Sequence, residues 1–163
     1  MNPALPPIDR DYALGLLSDL VRINSVNPMA SQGGAAGADP ERPGERRLAL
    51  RLADELRGLG ASVEVTPARE AGSQAEERPN VTGTWRGRGE RGERDGRPGI
   101  VLCSHLDTVD AAGMADPFDP VLRDGRLFGR GALDAKGQLV AFLAALHASR
   151  RLAEPLPADV TLA

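Results

Sequence analysis

Helical and extended patterns alternate along the chain, and this alternation restricts its fold more than any other feature. Residues 9–22 carry apolar side chains at helical spacing, with an aspartate at the start as the N-cap. A second helical stripe at about 44–59 stops at Gly60, a residue suited to the left-handed end of a helix. Strand patterns follow at 62–66 and 80–86. Such alternation predicts an α/β layered domain.

The second half of the chain contains the strongest strand signal. Residues 100–103 form an unbroken apolar run, which is typical of a strand buried on both faces. An Asp-Gly pair between apolar flanks predicts a tight hairpin over 121–128. Residues 135–152 predict a third helix, buried because it is apolar nearly all round. A further strand is predicted over 159–163.

The composition excludes several classes of function. The 163 residues suit one domain or a piece of a larger one, and 23 acidic against 20 basic residues argue against a nucleic-acid partner. A single cysteine excludes an intrachain disulfide, and no apolar stretch reaches the roughly 20 residues of a membrane span. The first residues lack the pattern of a signal peptide. We therefore expect a cytoplasmic protein that does not bind membranes.

One of only two histidines follows the best strand pattern directly. His105 and Asp107 lie after the 100–103 run, at the strand end where open α/β sheets bind ligands. Positions i and i+2 of an extended chain point to the same side, so the carboxylate can hold one ring nitrogen and leave the other for a metal or a proton. By itself this pattern is weak, because surface pairs without a role are commoner. Cys103 lies two residues before His105, and we expect it to be a small buried thiol and not a nucleophile.

A glycine-rich segment, GRGALDAKG over 129–137, precedes the third helix. Its glycines allow other groups to approach the backbone closely. Asp134 within it fits two roles: an ordinary helix N-cap, or a carboxylate whose two oxygens each bind one cation. The segment alone favours the N-cap.

Taken together, these segments resemble a known family. The order SHLDTVDAAGMADPFDP, then RDGRLFGRGALDAKGQ, with LVRINSVNP upstream, resembles the acetylornithine deacetylase, succinyl-diaminopimelate desuccinylase and carboxypeptidase G family. Its members are dinuclear zinc or cobalt hydrolases that cleave the amide bond of N-acyl amino acids or small peptides. The likeness runs from about residue 11 onward.

The resemblance implies a fold, a pair of metals and a set of site residues. The fold is a three-layer α/β/α sandwich of the zinc exopeptidase type, and the cofactors are two divalent metal ions, zinc or cobalt. His105 would bind one metal, Asp134 would bridge both, and Asp107 would be the catalytic residue that holds the imidazole of His105. The peptide bond between Asp134 and Ala135 would be cis.

Departures from the family pattern also matter. Ser104 and Gln138 stand where the family commonly has glycine. In the family an acidic pair, which supplies the general base and a metal ligand, follows the next strand, and further ligands come later still. We therefore expect residues 1–163 to be the N-terminal portion of a metallohydrolase catalytic domain, with a mobile loop at about 87–98 and no second domain. We expect this portion to be inactive alone.

Alternative interpretations remain open at this point. The chain could be a non-catalytic remnant or interaction module, or one half of a split enzyme that a complementing chain restores; a homodimer is also open. The glycine pattern at 87–92 lacks the following helix of a dinucleotide site, and it has no aromatic residue to support RNA binding. His147 lies twelve residues along the third helix from Ala135, roughly 18 Å at ~1.5 Å per residue, so we expect it on a helix face and outside any metal site.

Overall fold

The computed structural model describes residues 6–27, 44–68, 78–87, 99–111, 113–152 and 155–163. Its helices are α1 (Arg10–Arg22), α2 (Gly44–Gly58) and α3 (Lys136–Ser149). Its strands are β1 (Ser62–Thr66), β2 (Asn80–Trp85), β3 (Ile100–Leu102), β4 (Val121–Arg123), β5 (Arg126–Phe128) and β6 (Val160–Leu162). The predicted mobile loop at 87–98 lies, from residue 88 onward, outside the described residues.

Local signals account for where several elements begin and end. Asp9 caps α1, since its Oδ1 accepts a hydrogen bond from the backbone N–H of Tyr12 at 3.0 Å. Gly60 follows α2 with a φ of +85°, as predicted for a helix stop. Asp124 and Gly125 both have positive φ in the turn between β4 and β5, which is the geometry of a two-residue hairpin.

Four strands form a mixed sheet in the order β1-β2-β6-β3. The β1/β2 and β2/β6 pairs are antiparallel, whereas β3 and β6 are parallel. The carboxyl ends of β3 and β6 therefore meet at one edge, where the Ser104 N–H donates to the Ala163 carbonyl at 3.0 Å. The loop that carries His105 starts at this edge.

One face of the sheet carries the hydrophobic core, in which β2 and β6 pack against leucines from all three helices. Gly83 lies between two buried β2 side chains, and a Cβ there would be only 3.0 Å from Leu56 of α2, so the glycine lets this helix lie close to the sheet. Trp85 donates from its indole nitrogen to the Leu59 carbonyl at 3.0 Å. The predicted α/β class is confirmed, with these helices on a single face.

The prediction that the 100–103 strand is buried on both faces is wrong. Ile100 is 55% exposed and Val101 is 68% exposed. Among the described residues β3 pairs only with β6, so it is the margin of the sheet. Val101 also lies on the face opposite the helices, because it is in register with Thr161 while the core residue Val160 is in register with Ile100. An apolar strand is buried on both faces only when other elements pack against both faces of the sheet, and the described helices pack against one.

Tyr12 joins the three helices. Its hydroxyl donates to Glu55 Oε1 at 2.8 Å, and its ring stacks on His147 with 4.1 Å between centroids. Burial, followed by the contact with Glu55, raises the pKa of Tyr12 above its ordinary value. His147 therefore packs between helices, in agreement with its expected place on a helix face. Within the described residues, no helix combines the length and apolar character that crossing a membrane requires.

Candidate metal centre

His105 is oriented by the residue two positions further on. Its Nδ1 lies 3.0 Å from both the backbone carbonyl and the Oδ1 of Asp107. Both of these atoms can only accept hydrogen bonds, so Nδ1 carries the hydrogen. The neutral imidazole then has its lone pair on Nε2, the nitrogen available to a cation.

The second ring nitrogen of His105 faces Asp134, which is 29 positions away in the chain. Nε2 lies 2.9 Å from Asp134 Oδ1. A lone pair against a carboxylate oxygen at this distance is repulsive, so the contact needs a cation between the two atoms, either a proton or a metal ion. Burial lowers the pKa of His105, but the hydrogen bonds to Asp134 and Asp107 outweigh it, and the net pKa is raised above 6.5.

Asp134 is not a helix cap, so that interpretation of the glycine-rich segment is wrong. The N-cap of α3 is Ala135, and no side chain caps the helix. The Asp134 side chain is 84% exposed, which leaves its second oxygen accessible. The Asp134–Ala135 peptide bond is cis, as the resemblance implied.

Glycines allow close packing around Asp134. A Cβ on Gly131, which has a φ of +83°, would lie 2.9 Å from Cγ2 of Thr108 in the loop that carries His105. A Cβ on Gly137 would lie 2.3 Å from the Ala132 carbonyl oxygen. The backbone on either side of Asp134 therefore reaches its neighbours only because these positions lack side chains.

Lys136 anchors the start of α3, a role that the sequence analysis missed. The side chain is almost completely buried, and Nζ donates to the Ile23 carbonyl, just after α1, at 2.7 Å. Burial lowers the pKa of Lys136 to about 8. The available signal was that Lys136 is the only lysine among 20 basic residues.

Asn27 contacts the far side of Asp107, and this contact was also missed. Its Nδ2 donates to Asp107 Oδ2 at 2.9 Å. The signal was its position in the upstream LVRINSVNP segment, which the sequence analysis used only for the resemblance.

The chemistry of His105 and Asp134 fits part of a zinc site. Tetrahedral zinc holds nitrogen and oxygen ligands at about 2.0–2.2 Å, which puts two ligand atoms about 3.3 Å apart. The observed 2.9 Å therefore needs only a small side-chain rotation to admit an ion. Within the described residues, no group of three or more His, Cys, Asp or Glu side chains is arranged to hold a metal.

An open cavity of about 540 Å³ adjoins the site, a volume in the usual range of ligand pockets. His105 and Asp107 line one side of it, and an ion pair between Arg78 Nε and Glu45 Oε2, 2.8 Å long, lines another. Cys103 also lines the cavity and is exposed, so the expectation of a buried thiol is wrong. Cys103 directly follows β3 at the margin of the sheet, which explains the exposure.

Comparisons with known proteins support the resemblance. Residues 101–163 match the model of peptidase family M20/M25/M40. Over 151 residues the chain is 36% identical to a succinyl-diaminopimelate desuccinylase from Gluconacetobacter diazotrophicus, covering 90% of this chain and 32% of that protein. The crystal structure of human carnosine dipeptidase 1 is similar with a TM-score of 0.68 and 26% identity, over 93% of this chain and 31% of that one. The di-peptidase Dug1p from Saccharomyces cerevisiae shares the fold, with a TM-score of 0.71 and 14% identity, over 94% of this chain and 31% of that one.

The chain thus spans about a third of the length of these relatives. The predicted fold of the zinc exopeptidase type is confirmed by the structural similarity. Residues 101–163 are thus similar in sequence to peptidase family M20/M25/M40, and the fold is similar to that of solved dipeptidase structures.

Proposed function

We propose that this chain supplies part of the metal centre of a hydrolase that cleaves the amide bond of N-acyl amino acids or small peptides. The proposal rests on the 2.9 Å contact between His105 Nε2 and Asp134 Oδ1. On the other side of the ring, Nδ1 of His105 lies within hydrogen-bond distance of two acceptors, the carbonyl oxygen and Oδ1 of Asp107. The match to peptidase family M20/M25/M40 supports the reaction class. The desuccinylase and dipeptidase names of its relatives support the substrate class.

Each site residue has a separate task in this proposal. His105 would hold one divalent ion through its Nε2, and the Asp134 carboxylate would help to hold that ion and a second one. Asp107 keeps the imidazole oriented and stabilises its Nδ1 hydrogen. Zinc or cobalt in such a site supplies a Lewis acid that acidifies bound water and polarises a carbonyl group.

The remaining metal ligands have to come from residues other than His105 and Asp134. Two zinc ions need roughly eight ligand bonds, and His105 with a bridging Asp134 supplies three. The resemblance implies an acidic pair after the strand that follows α3, and β6 is parallel to β3 with its carboxyl end at the same edge as His105. We therefore propose that residues 1–163 form a portion of one catalytic domain, completed by further sequence or by a complementing chain. We also propose a cytoplasmic location, which the single cysteine supports.

Titration of the purified chain with Co²⁺, read by visible absorption, tests the metal site. We expect weak binding that is lost in His105→Ala and in Asp134→Asn. Asp54→Asn is the matched control, because it removes an exposed carboxylate of α2 that pairs only with Arg57 in the described contacts. Equal cobalt affinity in all four chains would contradict the proposal.

An activity assay tests the expectation that the metal site of this chain is catalytically incomplete. We expect no turnover of N-acetyl amino acids by the 163-residue chain with zinc or cobalt present. Turnover above buffer would show that three ligand bonds suffice, and the proposed division of the site would be wrong.

A non-catalytic module is the second candidate, and the lack of any three-residue metal cluster within the described residues favours it. A ligand that binds only the folded state raises the melting temperature, so a metal-binding chain melts higher in zinc. A module without a metal site unfolds cooperatively at a temperature that zinc leaves unchanged.

A further inference from the structure

We propose that Asn27 is a positioning residue of this metal centre, which orients Asp107 so that the imidazole of His105 keeps Nε2 free for the cation. The inference rests on the proposed function for its metal. Its structural basis is a chain of contacts from Asn27 through Asp107 to His105.

The two oxygens of Asp107 are engaged on opposite sides. Oδ2 accepts from Asn27 Nδ2 at 2.9 Å, and Oδ1 lies 3.0 Å from His105 Nδ1. A carboxylate can only accept, so the amide must present its NH₂ group to it, since the reversed amide would bring two oxygens together. The contact therefore has one chemically allowed orientation and limits rotation of the carboxylate.

The backbone holds Asn27 at this distance. Its N–H donates to the Thr108 carbonyl at 2.9 Å, and the Thr108 N–H donates to the Ser25 carbonyl at 2.9 Å. Val26 and Thr108 form a parallel bridge, and both are buried. The backbone at Asn27 thus lies beside the residue that follows Asp107, and the two side chains start from a fixed separation.

The same short segment also reaches the other ligand. Ile23, four residues before Asn27, accepts a hydrogen bond from the buried Nζ of Lys136 at 2.7 Å, two residues after Asp134. The segment 23–27 therefore contacts the support of His105 at one end and the support of Asp134 at the other. Since a residue close to each ligand contacts this segment, a shift of Asn27 would change the geometry between the two ligands.

The consequence for the imidazole is specific. Without the Asn27 donor, the Asp107 carboxylate can turn its Oδ1 away, which leaves Nδ1 with the backbone carbonyl alone. The neutral ring then also adopts the other tautomer, with hydrogen on Nε2, and that form cannot bind a cation there. Loss of a group that orients a metal ligand directly typically lowers metal affinity by 10- to 100-fold. Asn27 orients Asp107 and not the ligand itself, so we expect its loss to lower zinc affinity by about threefold to tenfold.

The test compares Asn27→Ala and Asn27→Asp with the wild-type chain. Ser104→Ala is the matched control: Ser104 adjoins His105 in sequence, but its hydroxyl bonds Gln138 Oε1 at 3.1 Å. Imidazole ¹⁵N shifts report the tautomer of the metal-free chains at a pH where the rings are neutral, and each chain carries Asp134→Ala in this measurement so that no carboxylate faces Nε2. With only two histidines, His147→Gln assigns the signals. Zinc affinity is measured by calorimetry on the corresponding chains that retain Asp134.

We expect the wild type and Ser104→Ala to hold the Nδ1–H tautomer with equal zinc affinity. Asn27→Ala and Asn27→Asp should show a mixture of tautomers and the threefold to tenfold weaker binding. Folded variants with unchanged tautomer and unchanged affinity would overturn the role of Asn27. If wild type and His105→Ala bind zinc equally, the proposed function fails, while the tautomer of the metal-free chains still decides the role of Asn27.

If the Asn27 variants do not fold, the hydrogen bond is tested from its other partner, by NMR of the Asn27 side-chain amide in folded chains that retain Asn27. We expect its proton shifts to move in Asp107→Ala, because the hydrogen bond is lost. Shifts that stay unchanged would overturn the inference.

Discussion

His105 Nε2 and Asp134 Oδ1 lie 2.9 Å apart, although 29 positions separate the two residues in the chain. His105 comes from the loop after β3, and Asp134 comes from the loop before α3. On the other side of the imidazole, Asp107 accepts the Nδ1 hydrogen, so the ring lies between two carboxylates. This arrangement stabilises positive charge at the ring, whether it is a proton or a metal ion.

Removing one of these carboxylates should change the titration of His105. We expect Asp134→Asn to lower the pKa of His105 in the metal-free chain, because the contact with Asp134 is the largest of the effects that raise it. The raised pKa means that the pair stabilises the fold below the unfolded value of about 6.5, and that this contribution is lost as the pH rises through the folded-state pKa. Ring-proton shifts in the two chains provide the measurement, and identical midpoints would contradict the expectation.

Lys136 predicts a second pH dependence, at alkaline pH. Its folded-state pKa is lowered from 10.5 to about 8, so between these values the unfolded chain binds more protons than the folded chain. The free energy of unfolding should therefore rise over this interval, by up to about 3 kcal/mol at ~1.36 kcal/mol per pKa unit. Urea unfolding of wild type and Lys136→Met from pH 8 upward measures the effect. Parallel stability curves for the two chains would show that the lysine titrates normally.

The packing at Gly131 can be separated from its backbone conformation. Gly131 and Gly125 both have positive φ, +83° and +73°, but a Cβ meets Thr108 and Lys136 at Gly131 and nothing within 4 Å at Gly125. Alanine at either position costs about 1–2 kcal/mol for the left-handed conformation, and Gly131→Ala should cost a further 1–3 kcal/mol or so from overpacking. Denaturant unfolding gives both values. Equal losses of stability in the two variants would mean that the loops beside the metal site accommodate the added methyl group without strain.

The contact of Tyr12 with Glu55 should contribute measurably to stability. Tyr12→Phe removes a 2.8 Å hydrogen bond to a carboxylate and keeps the ring stacked on His147, so we expect a loss of about 1–2 kcal/mol. Tyr12→Ala also removes the stacked ring, and we expect a larger loss, about 3 kcal/mol. Thermal or denaturant unfolding of the three chains checks the order. A Phe variant as unstable as the Ala variant would contradict it.

Features that depend on a few neighbouring residues could be predicted from the sequence. The Asp9 cap of α1, the Gly60 stop of α2 and the Asp124-Gly125 turn each follow from local backbone preferences. The meeting of His105 with Asp107 is also local, because alternate residues of an extended chain share a side. The family resemblance added Asp134, which spacing alone had favoured as a helix cap.

Tertiary structure decided the rest, since it depends on which distant segments pair. The parallel pairing of β6 with β3 defines the edge where His105 lies, and it leaves Val101 exposed where an apolar run predicted burial. Asn27 meets Asp107 across 80 positions, and Lys136 meets Ile23 across 113. Hydrophobic periodicity carries no information about such contacts, because it records which side of an element is buried and not which residue lies opposite it. The sequence alone therefore determined the helices, the turns and the His105–Asp107 pair, whereas the folded chain determined which groups surround them.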